Sequence, residues 1–344
     1  MIRRIQILPF LMAAVFSNPA PGQAQPAATL LVELQNVVEY QVDVSDLSKY
    51  GTNPNVTHGS IAQGMGVGCV GVPVIVYGDI VSVNGQPARG TYLSRALSVC
   101  LSSAPAPGLN AIADTTWASV RDETYQILQS DGVTPVGTIM TNGLNNGSPI
   151  PPGPAVAGQN FAIVGGTGAF FGARGQKGNG NAGLNGVVSA RTASIAEDPA
   201  NRRQNGGGHI RSVLYVIPMS RPEIVVTPNG PAVVHSNDFS LVSAAKPAAA
   251  GETLSLILTG LGPTRTSLDP GQPFPSKPLA VVNSPVEVTV NGKSAEVLGA
   301  VGYPGAVDGY LVNFRLPSDT TKGTASIQVS AAWIAGAPVS VPVQ

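Results

Sequence analysis

The chain has 344 residues, rich in glycine (41) and proline (30) and with only 11% charged residues, against roughly 25% in a typical soluble domain. Its formal net charge is zero, and it shows no basic stripe or acidic run. That excludes an electrostatic nucleic-acid binder, which needs clustered Lys and Arg to displace counterions. At about 150 residues per domain the length predicts two domains, each large enough to bury a core.

The N-terminus reads as an export signal. Arg3 and Arg4 are basic, Ile5 to Phe16 is a short apolar run, and Gly22-Gln23-Ala24 offers small residues for cleavage after Ala24. The run is shorter than the ~20 residues of a membrane-spanning helix, and no later segment reads as a span. Residues 1–24 are therefore predicted to be a signal peptide and the mature protein to lie outside the cytoplasm, in periplasm, at the cell surface or beyond. In that oxidising setting Cys69 and Cys100, the two cysteines of the chain, are predicted to pair as one disulfide, the alternative being two buried thiols that never meet.

Short apolar runs punctuated by turn residues then follow one another. A strand is predicted around Val37 to Val44, and a long loop over 45–68. Val72 to Val83 is a strand, and Asn84-Gly85 after it is the dipeptide of a two-residue hairpin turn. A return strand runs through Thr91-Tyr92-Leu93 towards Cys100. Trp117 to Leu128, Gly137 to Met140, Phe161 to Val164, Val188 to Ile195 and His209 to Met219 are further strands, with loops at 101–110, 142–160 and 197–208. In the last strand Ile210, Ser212, Leu214 and Val216 alternate against Arg211, Val213, Tyr215 and Ile217. Many strands and no convincing helix make an all-β barrel or sandwich.

A boundary is predicted near Ser220-Arg221-Pro222. Beyond it come strands at Leu254 to Thr259, Val286 to Val290, Ala295 to Leu298, Gly309 to Pro317, Ala325 to Ser330 and Val339 to Val343. Asn291-Gly292 is a second hairpin signal. About seven short strands in roughly 120 residues predict an immunoglobulin-like sandwich over 220–344, without the Cys–Trp–Cys signature of antibody domains.

The chemistry-bearing motifs are few. Gly166-Thr167-Gly168 follows a strand as a dinucleotide loop would. That motif needs a helix starting at the glycines to hold the pyrophosphate, and Phe170-Phe171-Gly172 followed by a Gly/Asn-rich run is a poor helix. A tight strand connection is the better reading. His58, His209 and His235 lack metal-ligand spacing, no G-x-S-x-G elbow occurs, and no metal or cofactor is predicted. Tyr125, Tyr215 and Trp117 read as core or cavity-wall aromatics. Asp79, Asp122 and Glu123 are acids on strands with no motif to give them a role.

The segment Val164-Gly165-Gly166-Thr167-Gly168-Ala169-Phe170-Phe171-Gly172-Ala173-Arg174-Gly175 resembles the GGTG-x-F-x-x-ARG signature of dirigent proteins, related in fold to allene oxide cyclases. The resemblance covers about a dozen residues; over the rest of 25–219 it is a pattern of strands. It implies an eight-stranded antiparallel barrel with an apolar central cavity, often assembled as a trimer, and an isomerase- or cyclase-type activity or the guidance of phenoxy coupling. Arg174 matches an arginine that can face the cavity, where it would hold a carboxylate or phenolate. Strand alternation puts Arg174 on one face with Phe170 and Gly172, opposite Phe171 and Ala173. Arg174 and Phe170 are thus the candidate ligand-binding residues, against the alternative of an outward, solvated arginine. The glutamate-centred cyclase motif is absent, so barrel and chemistry need not travel together. Residues 222–344, from Gly251-Glu252-Thr253-Leu254 through Val290-Asn291-Gly292 to Gly323-Thr324-Ala325, resemble an uncharacterised C-terminal domain of secreted acidobacterial proteins, which implies an accessory sandwich. Two functions follow: a barrel binding a small apolar, phenolic or carboxylate ligand, or a non-enzymatic adhesion or structural protein of the envelope or exterior.

Overall fold

The structure, a computed structural model, describes residues 27–41, 72–99, 118–146, 161–180, 190–266, 268–269 and 271–344. The N-terminal segment, Cys69, Cys100, Trp117 and His58 lie outside these residues, and with them the expected cleavage site and disulfide.

Eight strands follow one another around a closed antiparallel barrel. They are β1 (Ala28–Gln41), β2 (Val72–Val83), β3 (Arg89–Val99), β4 (Ala118–Leu128), β5 (Pro135–Asn146), β6 (Phe161–Gly168), β7 (Arg174–Asn179) and β8 (Gly208–Ile217). Each pairs with its neighbour in sequence, and β1 closes the ring by pairing with both β8 and β2. Closure leaves no unpaired barrel edge. Strands are longer than the sequence signals: β1 begins at Ala28 and β5 runs on to Asn146, over residues whose glycines and asparagines read as loop. Inside the ring, cross-strand pairing overrides these weak local preferences.

Because the strands alternate in direction, successive connections alternate between the two barrel ends. One end carries the tight turns at 84–88, 129–134 and 169–173. From the other, which we call the mouth, the chain leaves towards 42–71, 100–117 and 147–160. Two additions pack outside the barrel: the short strand Arg191–Ser194, parallel to the end of β1, and α1 (Asn201–Gln204), a single helical turn in what reads as loop.

The turn after β6 breaks the expected alternation. Residues 169–172 form turns, with Phe170 N donating to Thr167 O and Ala173 N to Phe170 O. Phe170 and Ala173 are buried, while Phe171 is 67% exposed. Gly168, Gly172 and Gly175 all have positive φ. A Cβ on Gly166 would collide with backbone oxygens of Phe170 and Thr138. The glycine cluster therefore serves a close backbone approach.

Residues beyond 222 build a second, curled sheet that folds over its own core like a sandwich. Its main strands are β9 (Thr253–Thr259), β10 (Val286–Val290), β11 (Lys293–Gly302), β12 (Tyr310–Arg315), β13 (Gly323–Ala331) and β14 (Val339–Val343). The order β9-β12-β11-β10-β13 bends along β11, which pairs with β10 over 293–295 and with β12 over 296–302. Leu254, Leu256, Val288, Val312, Phe314, Ile327 and Val341 fill its core. The two-residue turn between β13 and the short strand Ile334–Ala335 inserts into the turn end of the barrel, where Ala332 and Ile334 join the barrel's own core. Among the described residues no helix is long and apolar enough to cross a membrane.

Candidate functional site

The inner face of β4 carries Arg121, Glu123, Tyr125 and Ile127, and pairing sets them in layers across the sheet. Tyr92, Tyr125 and Ile139 form one row, Ser94, Glu123 and Thr141 the next towards the mouth, and Ala96, Arg121 and Gly143 the one beyond. Below these rows, towards the sandwich, the lining is apolar: Leu30, Val32, Ile80, Ile127, Val136, Phe170, Leu214 and Val216. The barrel interior thus changes character along its axis.

Glu123, 2% exposed, is the centre of the polar half. Its Oε1 accepts from Tyr92 Oη at 2.7 Å and from Lys177 Nζ at 3.3 Å. Its Oε2 accepts from Tyr125 Oη and Thr141 Oγ1, both at 3.1 Å. Four donors occupy the carboxylate's roughly four lone-pair sites. Tyr125 Oη also lies 3.0 Å from Ser212 Oγ on β8, the strand opposite β4. A phenol has one proton, so Tyr125 accepts in one of its two contacts. Together these bonds tie β3, β4, β5, β7 and β8 across the bore.

Lys177 is equally buried. Beyond Glu123, its ammonium sits 4.7 Å from the centroid of the Phe161 ring, a cation–π arrangement. Phe161 occupies the space left by Gly143, where any Cβ would strike the ring. Burial pulls the Lys177 ammonium below its usual value, with Glu123 acting against it. Burial, reinforced by the Glu123 charge, pushes the Tyr92 and Tyr125 phenols well above theirs, so both stay protonated donors.

Arg121 lies one layer nearer the mouth. Its side chain is 16% exposed, its guanidinium is 3.7 Å from Glu39 on β1, and its Nε is buried with no hydrogen-bond partner. Ser94 Oγ, fully buried, also has none. These are two unsatisfied polar groups facing the polar half of the bore.

The residues singled out from sequence sit elsewhere. Arg174 is exposed on the outer surface, where its guanidinium donates to Val164 O at 2.8 Å and Ala173 O at 2.9 Å, holding the β6–β7 turn. Phe170 is fully buried in the apolar half. The turn at 169–172 removes the strand parity that placed the two together. The arginine that faces the bore is Arg121. The sequence signal for it was the alternation of β4, but Val120, Asp122, Thr124 and Gln126 on the opposite face are hardly less apolar, so polarity does not choose the inner side. Asp122 is outside, bonded to Arg95 and Asn142. Asp79 is also outside, bonded to Arg202, Arg203 and Asn36. His235, in the sandwich, pairs through Nδ1 with Glu252. Among the described residues no three His, Cys, Asp or Glu side chains gather as metal ligands would.

Fold and interior together define a closed eight-stranded meander barrel with a charged layer across its bore, joined to a sandwich-like domain. No protein-family model matches the chain, and no curated protein sequence matches it either.

Proposed function

We propose that the barrel binds a small, largely apolar molecule carrying an acidic group, a carboxylate or a phenolate. The observation that carries this reading is the unpartnered, buried Nε of Arg121 above the Glu123–Lys177 layer. Uncompensated donors in a barrel interior are costly, and a ligand anion meets both the orphaned N–H and the guanidinium charge. The bonded layer below supplies a rigid floor, and Phe161, packed at Gly143 in the Arg121 row, an aromatic wall. The export signal read from residues 1–24 of the sequence supports a site of action outside the cytoplasm.

Thermal unfolding of the purified protein against a panel of apolar carboxylates and phenols tests the proposal. Saturable stabilisation by acidic members, lost in Arg121→Gln and weaker for their neutral esters and ethers, is the expected result. No stabilisation by any member sinks it.

A non-enzymatic interaction protein is the second reading. It draws on the saturation of Glu123, whose four donors leave no oxygen lone pair to take a proton from a substrate.

A further inference from the structure

The turn that joins the sandwich to the barrel has an unusual composition. Among the described residues, two-residue hairpin turns with both residues at positive φ occur at three places: Asn84-Gly85, Asn291-Gly292 and Ala332-Trp333. The first two use the pair suited to that geometry. The third places an alanine and a tryptophan there, at φ 49° and 62°, where the Cβ of an L-residue crowds the following carbonyl oxygen. Ala332 has a packing reason, since it is buried in the barrel's core. Trp333 is partly buried, one part of its side chain packing against the barrel's core and the rest reaching the surface. Its Nε1 donates to Gln86 Oε1 at 2.9 Å, which fixes the plane of the indole. Strain at a loop tip that orients one aromatic ring is a reason to look for what the ring faces.

Trp333 lines two adjoining open lobes of a groove at the barrel–sandwich seam, of about 250 Å³ and 300 Å³. The floor is the outer face of β10 and β13, where Glu287 lies opposite Ser330 and Thr289 opposite Gln328. Gln86, from the barrel, forms the facing wall. Several groups of this lining have hydrogen-bonding capacity to spare. Gln86 uses Oε1 for Trp333 and keeps its amide N–H groups. Gln328 uses Nε2 for Gly336 O and keeps Oε1. Glu287 uses Oε1 for Ser294 and keeps Oε2. Among the described residues the hydroxyls of Thr289 and Ser330 have no hydrogen-bond partner. The groove therefore offers donors, acceptors and two-way hydroxyls beside a fixed aromatic face, with one charge, which is negative.

We propose that this groove binds a neutral pyranoside, as a short stretch of a glycan. A sugar ring presents just this complement: hydroxyls that both donate and accept around the rim, and a face of C–H bonds that packs on an indole. A hydrocarbon ligand would leave the five polar groups unmatched, and an anion would meet Glu287 with no cation in the lining. The lobes fall at or below the low end of the ~300–1,000 Å³ of small-molecule pockets, and both are open, so a chain can run through rather than be enclosed. The site is separate from the barrel interior and does not depend on a ligand there.

The full-length protein titrated with soluble gluco-, xylo- and chito-oligosaccharides, followed by tryptophan fluorescence and NMR line broadening of the sugar, tests this. At least one series is expected to bind saturably, and Thr289→Arg, which fills the groove from an outer sheet position without touching the wedge turn, to weaken it at least tenfold. Trp333→Phe is expected to weaken binding less. Failure of all three series, or Thr289→Arg binding like the unmodified protein, overturns the proposal. Should Trp333→Phe fail to fold, Thr289→Arg alone decides.

Discussion

Glu123 and Lys177 illustrate how a buried charge pair acts differently when broken than when replaced. Each side chain is nearly inaccessible, and removing one partner leaves the other charged in a medium that solvates it poorly. Lys177→Met or Glu123→Gln alone is therefore expected to cost on the order of 3–5 kcal/mol, whereas Lys177→Met with Glu123→Gln costs clearly less than the sum. Chemical denaturation of the three variants measures the coupling. Strict additivity would mean that the ion pair contributes nothing and that Glu123 is held by the phenols and Thr141 alone. The pair was not legible in the sequence. Glu123 stands in a run, Arg121-Asp122-Glu123, whose acids face opposite sides of the sheet, and Lys177 lies in a Gly/Asn-rich stretch that resembles loop. Only closure of the barrel brings Lys177 on β7 within reach of Glu123 on β4 across its bore.

Individual elements show the opposite balance. Asn84-Gly85 and Asn291-Gly292 mark their hairpins in the sequence because few other residues adopt positive φ cheaply, and the structure has both. Ala332-Trp333 carries no such signal, since its geometry is imposed by docking rather than local preference. The bulge in β1 is similarly hidden. Asn36, at φ 51°, interrupts the pairing of β1 with both neighbours, and Asp79 on β2 gathers Asn36, Arg202 and Arg203, tying α1 to the bulge. Burial raises the Asp79 carboxyl, but the hydrogen bonds from Arg203, Arg202 and Asn36 outweigh it and hold the group at about 2, below its usual 3.8. A depressed acid stabilises the fold above its unfolded value and loses that contribution as pH falls from near 3.8 through about 2. Between those values α1 is expected to release first, seen as faster amide exchange in 201–205, and Asp79→Asn should show that faster exchange already at neutral pH. Equal protection of α1 in both proteins at neutral pH would show that Asp79 does not hold it.

At the scale of the whole molecule, the seam between the two units decides whether they are separable. The sequence places the boundary near Ser220 because strand rhythm restarts there, and it reads as two domains because local patterns say nothing of contacts between them. In the structure the turn end of the barrel is closed by residues from the other unit. Ala332 and Ile334 are 1% and 2% exposed within the barrel's core, Gln129 Nε2 donates to Asn283 O at 2.5 Å, and Gly262 packs on Ala169. A barrel ending at residue 219 would expose Val136, Phe170 and their neighbours at that end. Ile334→Ala, a truncation in the sandwich, should therefore cost the full protein on the order of 2–5 kcal/mol and lower the midpoint of barrel unfolding. Calorimetry on the full chain is expected to give one transition, with Ile334→Ala shifting it as a whole. Two transitions, with only the sandwich's moved by the substitution, would mean that the barrel closes its own end and that the seam is a contact between independent domains. A single cooperative unit also bears on the bore: the layer tied across five strands and the base closed by the sandwich then unfold together, so Ile334→Ala is expected to loosen the Glu123–Lys177 layer with the rest of the barrel.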